Sequence, residues 1–196
     1  MYVCYRPFIA EVIYPPTGGH AVPMIELTTT PGALGDDAKQ RLATELSTIV
    51  LDLEAAPQAR FGDTPHMQAL AWCFVSEQDV FVGGRRHAKP IYRVIVTLPE
   101  GAPGILGPLA ERGRQTLVKR VTGAVLAAEG TENTMVEAHR VWVLLRQISD
   151  GYWACFGEFG TIAELAAYGL NAGEPGSKTD RWRHAAMESV AAESAT

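Results

Sequence analysis

The feature that most constrains this chain is that it spells one pattern twice. From Pro23 the run PMIELTTT alternates, is rich in β-branched residues and ends in Pro-Gly-Ala-Leu-Gly, which reads as a strand and a turn. A helix is expected from Asp36 to Glu54, with Leu42, Leu46, Ile49, Val50 and Leu53 on one stripe and Asp36 and Asp37 at its positive end. ALAWCFV then reads as a second strand and VFVGG as a short return strand. At Pro90 the order starts again. PIYRVIVTLPEGA repeats the strand, proline and glycine-containing turn, and Leu117, Val121, Ala124, Val125 and Ala128 form the second stripe. That helix stops at Gly130, RVWVLLR follows as a strand, and YWACFG closes the copy. Parallel strands joined by a crossover helix are the solution for each copy. The fold expected is α+β: two β-α-β units giving a four-stranded mixed sheet, two helices on one face and short hairpin arms.

Composition narrows the function classes. At 196 residues and 47% hydrophobic content, the chain suits one sizeable domain or two small ones sharing a core, and excludes disorder throughout. A formal net charge of -5 gives no general attraction for nucleic acid or anionic lipid. No apolar run reaches the roughly 20 residues that span a bilayer, so neither nucleic acid nor membrane is an expected partner. Arg6, Pro7 and Glu11 interrupt any export signal near the start. Cys4, Cys73 and Cys155 lack metal-ligand spacing and read as small residues in a reducing cytoplasm. Residues 1–22 are set apart as an extension, 23–170 as the domain with repeats at 23–84 and 90–160, and 171–196 as a polar tail. Within the tail, TDRWRHAAMESVA can form an amphipathic helix anchored by Trp182 and wrap a neighbour.

A proline opening an alternating strand, then a turn, an amphipathic helix, a second strand and a hairpin ending in Gly-Gly, resembles the 4-oxalocrotonate tautomerase unit of the tautomerase superfamily. The fused arrangement is similar to cis-3-chloroacrylic acid dehalogenase and malonate semialdehyde decarboxylase, and covers Pro23 to about Tyr168. The resemblance implies a homotrimer; the sequence itself carries no Ser-His-Asp pattern, phosphate-binding glycine loop or metal-ligand cluster, so neither cofactor nor metal is expected. It also implies that Pro23 is catalytic through its secondary amine, which requires Pro23 to be the amino terminus. Inside a chain a proline nitrogen is a tertiary amide with no N–H and no basic lone pair. Val22 precedes Pro23, and valine is what a GTG start codon becomes when a gene's beginning is placed too far upstream. A chain starting at Pro23 would carry an amine titrating near pH 8, lowered further by an apolar pocket toward the range of good general bases. The plainer reading is a proline that merely begins a strand.

The family's carboxylate-holding arginines do not transfer. Their expected places fall at Leu34 and Trp72, and near Leu98, Pro99 and Glu100, none of them basic. The family's hairpin phenylalanine matches Phe81, with Trp153 in the second unit, and Trp72 and Trp142 stand at matching places in the outer strands, as core or as pocket lining. Arg93 in the third strand and Arg146 at the end of the fourth are candidate carboxylate clamps, since a guanidinium binds a carboxylate in two places. The junction group Arg85, Arg86, His87 and Lys89 is a further candidate or a solvated loop, and Arg93 is equally readable as a partner of Glu26. Glu77 and His66 are possible second acids or bases. The leading expectation is a cofactor-independent tautomerase acting on a small 2-oxo acid, enol or unsaturated carboxylate. Dehalogenation, hydration and decarboxylation on the same scaffold are alternatives, as are a non-catalytic trimeric binding paralogue and a ferredoxin-like or dimeric α/β-barrel protein.

Overall fold

A computed structural model describes residues 23–54, 71–100, 111–169 and 173–193; the extension at 1–22 and His66 lie outside them. The elements run β1 (Met24–Thr29), α1 (Asp36–Glu54), β2 (Trp72–Glu77), β3 (Phe81–Val82), β4 (Arg85–Arg86), β5 (Tyr92–Pro99), α2 (Glu111–Glu129), α3 (Met135–Ala138), β6 (Val141–Ile148), β7 (Trp153–Cys155), β8 (Glu158–Gly160), α4 (Ile162–Gly169) and α5 (Lys178–Glu193). The main sheet has four strands in the order β2-β1-β5-β6. Pairing is parallel within each repeat and antiparallel at the β1/β5 seam, so the two copies lie head to tail about the centre of the sheet.

The repeated stripes build one core. Leu42, Leu46, Ile49 and Val50 of α1 and Leu117, Val121, Ala124 and Val125 of α2 are buried at identical spacing against one sheet face. That face presents Ile25 and Leu27 from β1 and Tyr92, Val94, Val96 and Leu98 from β5, all at 0% exposure. Each such side chain contributes roughly 1.5–3 kcal/mol on burial, which makes the α1/α2/sheet stack the dominant favourable contribution. Gly130, at φ 79°, ends α2 in the left-handed conformation, and the Thr131 N–H reaches back to the Leu126 carbonyl at 2.8 Å.

The opposite face has no such cover. Alternation puts Trp72, Phe74 and Ser76 of β2, Met24, Glu26 and Thr28 of β1, Arg93, Ile95 and Thr97 of β5, and Trp142, Leu144 and Arg146 of β6 on it. Trp72 and Trp142 are 61% and 66% exposed, with Phe74 and Leu144 also exposed between them.

Two short helices form a second, smaller cluster. The helix α4 was not anticipated from the sequence, while the helix expected around Trp182 is present as α5. Trp182 is buried with Leu165 and Tyr168 and stacks on Phe156 at 5.6 Å. The tail is therefore tied to its own chain through the β7–β8 arm. None of the described helices is long and apolar enough to cross a membrane.

Candidate functional site

The head-to-tail sheet separates the residues that the sequence offered as one site. Across its first row stand Trp72, Met24, Thr97 and Arg146, at the Pro23 end; across its last row stand Ser76, Thr28, Arg93 and Trp142, at the Pro90 end. Pro23 and Arg93 are separated by five residues of strand, about 17 Å. Within one chain, Arg93 cannot hold a substrate whose reacting carbon lies at Pro23.

Pro23 is buried at the entry to β1, and its carbonyl accepts the Trp72 N–H at 3.3 Å. Close by, the Thr97 hydroxyl oxygen is buried with no hydrogen-bond partner among the described residues. Arg146 comes from the same row and donates to Glu26 at 3.1 Å. This overturns the Glu26–Arg93 pairing: Glu26 sits opposite Ile95 in the register and leans to β6, and Arg93 sits opposite Thr28. Trp153 leaves from this end of the sheet but is half-buried and packs on the Leu165, Tyr168 and Trp182 cluster.

At the Pro90 end a cleft of about 400 Å³ brings Arg93, Thr28, His87, His139, Phe81 and Trp142 together. Arg93 Nη2 donates to Thr28 Oγ1 at 3.1 Å, and Ser76 Oγ donates to the same oxygen at 3.4 Å. The guanidinium is thereby held along the sheet. Around it, the junction behaves as a solvated loop in part: Arg86 pairs with Asp79 at 2.6 Å and lies over the Phe81 ring, and Lys89 pairs with Glu137. His87 departs from that reading by lining the cleft, edge-on to His139 with ring centres 6.1 Å apart. His139 was missed in the sequence because its place depends on α3 turning the chain into β6, and no local motif marks it.

Below the cleft, the base of β5 is fixed by Arg140. Its side chain is 1% exposed and meets Glu129 at 2.8 Å, Glu137 at 2.8 Å and the Pro90 carbonyl at 2.6 Å. The neighbouring Tyr92 phenol is pushed up to about 12 by burial, then by the Glu129 charge, and stays protonated at neutral pH. Glu77, a candidate acid or base, pairs with Lys39 at 3.0 Å, which holds its carboxyl below the usual range. Burial raises the Cys73 thiol to about 11.

With the geometry in hand, comparison with known proteins gives the fold. No protein-family model and no curated protein matches the sequence. Among solved structures, the chain is similar to a member of the cis-3-chloroacrylic acid dehalogenase family at 16% identity and TM-score 0.53, over 81% of this chain and 89% of that one. It is similar to a fused 4-OT described as a wild-type symmetric trimer at 22% identity and TM-score 0.53, over 71% of this chain and 97% of that one. A macrophage migration inhibitory factor-like protein from Entamoeba histolytica aligns at 11% identity and TM-score 0.51, over 70% and 98%. The fold is that of the tautomerase superfamily. More narrowly, it has that fold with both β-α-β units fused in one chain, as in the fused 4-OT structure.

Proposed function

We propose that a chain beginning at Pro23 is a cofactor-independent tautomerase acting on a small 2-oxo acid, enol or unsaturated carboxylate. Pro23 is the general acid and base. The observation that carries this reading is the position of Pro23: buried, immediately before β1, and next to the row of Met24, Thr97 and Arg146, in which the Thr97 hydroxyl has no partner among the described residues. A secondary amine there loses hydration, which disfavours its charged form and leaves a free base near neutral pH. It takes a proton from the carbon next to the substrate's carbonyl and returns it at the other end of the enol. Arg146 is the carboxylate contact available at this end, once the substrate displaces Glu26. Trp72 supplies an apolar wall.

Assembly completes the reading. The open sheet face exposes Trp72, Phe74 and Leu144, more apolar surface than a small monomer leaves in water, and a homotrimer covers this part of it and leaves the Pro90 end open. Cys73 and Cys155 are free thiols, which suits a reducing cytoplasm. The Glu26–Arg146 pair also favours a second reading, a trimeric binding protein whose clamp is neutralised from within. Proton exchange of a simple 2-oxo acid, followed by NMR, separates the two. The Pro23-initiated chain should exchange protons, and both Pro23→Ala and the chain retaining residues 1–22 should fall to background. Equal rates in all three would leave the binding protein.

A further inference from the structure

We infer that the cleft at the Pro90 end is a second binding site, independent of Pro23, for a flat unsaturated or aromatic carboxylate. It lies on the far row of the sheet from Pro23, so one ligand cannot occupy both places. Its cation is ready to bind. Arg93 is exposed, meets no carboxylate within 4.0 Å among the described residues, and has its Nη2 spent on a neutral hydroxyl that orients the plane of the fork. Arg86, Lys89 and Arg140 nearby are each matched to Asp or Glu, and among the described residues that line the cleft Arg93 is the one Arg or Lys.

The remaining walls select what the carboxylate is attached to. Trp142, directly opposite Arg93 in the β5/β6 register, and Phe81 from the β3–β4 arm, one face of which is taken by Arg86, line the cleft with aromatic surface. Flat carbon skeletons gain most from such walls. His87 Nδ1 accepts the Lys89 N–H, which leaves its Nε2–H to donate to a ligand oxygen, whereas His139 Nδ1 donates to the Val136 carbonyl, so that in this tautomer its Nε2 is an acceptor and the carboxylate is left to Arg93 and His87. A volume of about 400 Å³ fits a single-ring acid and lies in the range of ordinary small-molecule sites.

Benzoate is the probe, titrated by calorimetry into the full chain with residues 1–22 present, where Pro23 nitrogen is an amide and the proposed proton transfer is silent. Saturable binding is expected with Kd on the order of 0.1–1 mM. Arg93→Gln should weaken it at least tenfold and Trp142→Leu several-fold, Pro23→Ala should leave it unchanged, and neutral benzamide should bind no better than to Arg93→Gln. Both altered side chains are exposed, and unchanged circular dichroism will confirm that the variants fold. Absence of saturable benzoate binding, equal affinity of wild type and Arg93→Gln, or equal affinity for benzamide would each overturn the site. Failure of the Pro23 activity would not.

Discussion

Replacing Arg140 with Met should cost about 3 kcal/mol of folding stability, an amount that follows from what the side chain leaves behind. Arg140 is 1% exposed and donates to both oxygens of Glu129, at 3.2 and 2.8 Å, and to the Pro90 carbonyl at 2.6 Å. Met fills similar volume but satisfies neither acceptor. An orphaned buried carbonyl costs about 1–3 kcal/mol, and breaking a buried ion pair about 3–5. Glu129 keeps 12% exposure and recovers some hydration, and Glu137 keeps Lys89, which brings the ion-pair share below its usual range, to about 2 kcal/mol, and the total with the orphaned carbonyl to about 3. For a chain of this length the melting temperature should fall by roughly 6–12 °C. As a control, Arg120→Met removes a pair to Asp52 whose side chains are 40% and 45% exposed, and should cost less than about 1 kcal/mol. The acid dependence has a definite sign. Glu137 is held below its usual range, first by Lys89 and then by Arg140, so its stabilisation is present above the ordinary carboxylate pKa and lost as pH falls through the lowered one. The difference between wild type and Arg140→Met should therefore shrink on going from pH 7 into that acid range. Urea melts of both variants at both pH values are the assay. An Arg140→Met loss no larger than that of Arg120→Met would show that the cluster is solvated and does not fix the base of β5.

Three other perturbations follow from the same contacts. Trp182→Ala should cost about 3–5 kcal/mol within the second cluster, seen as early proteolytic release of α5 while the main core resists. Glu26→Gln frees Arg146, and should tighten binding of a small 2-oxo acid to the Pro23-initiated chain by severalfold in calorimetric titration; unchanged affinity would remove Arg146 from the site. Cys73, with its thiol raised to about 11, should react with a disulfide reagent at pH 8 far more slowly in the folded chain than in denaturant, as mapped by mass spectrometry.

The fold was legible because its signals are local and repeated. The stripes from Leu42 to Val50 and from Leu117 to Val125 show the helical period directly, and the duplication supplies the pairing of the copies. The site was less legible because it depends on register. Nothing near Arg93 in sequence says that β1 and β5 run antiparallel with Thr28 opposite it, and that pairing alone puts Arg93 on the far row from Pro23 and hands Glu26 to Arg146. The aromatic residues illustrate the same limit. Phe81 and Trp142 converge on one cleft, whereas Trp153 packs on Leu165, Tyr168 and Trp182, because α5 folds back on its own chain over the short, alanine-rich α4 that no periodicity revealed.

The central claim is that Pro23, freed at its nitrogen, is an amine poised near neutrality. It is tested most directly by 15N-proline labelling of the Pro23-initiated chain and NMR titration of the amine resonance. The account predicts a titration below the ordinary α-amine range of about 7.7–8.0, at a pH that coincides with the ascending limb of the proton-exchange rate. A Pro23 nitrogen that titrates at or above that range, or a rate that ignores its titration, would contradict it.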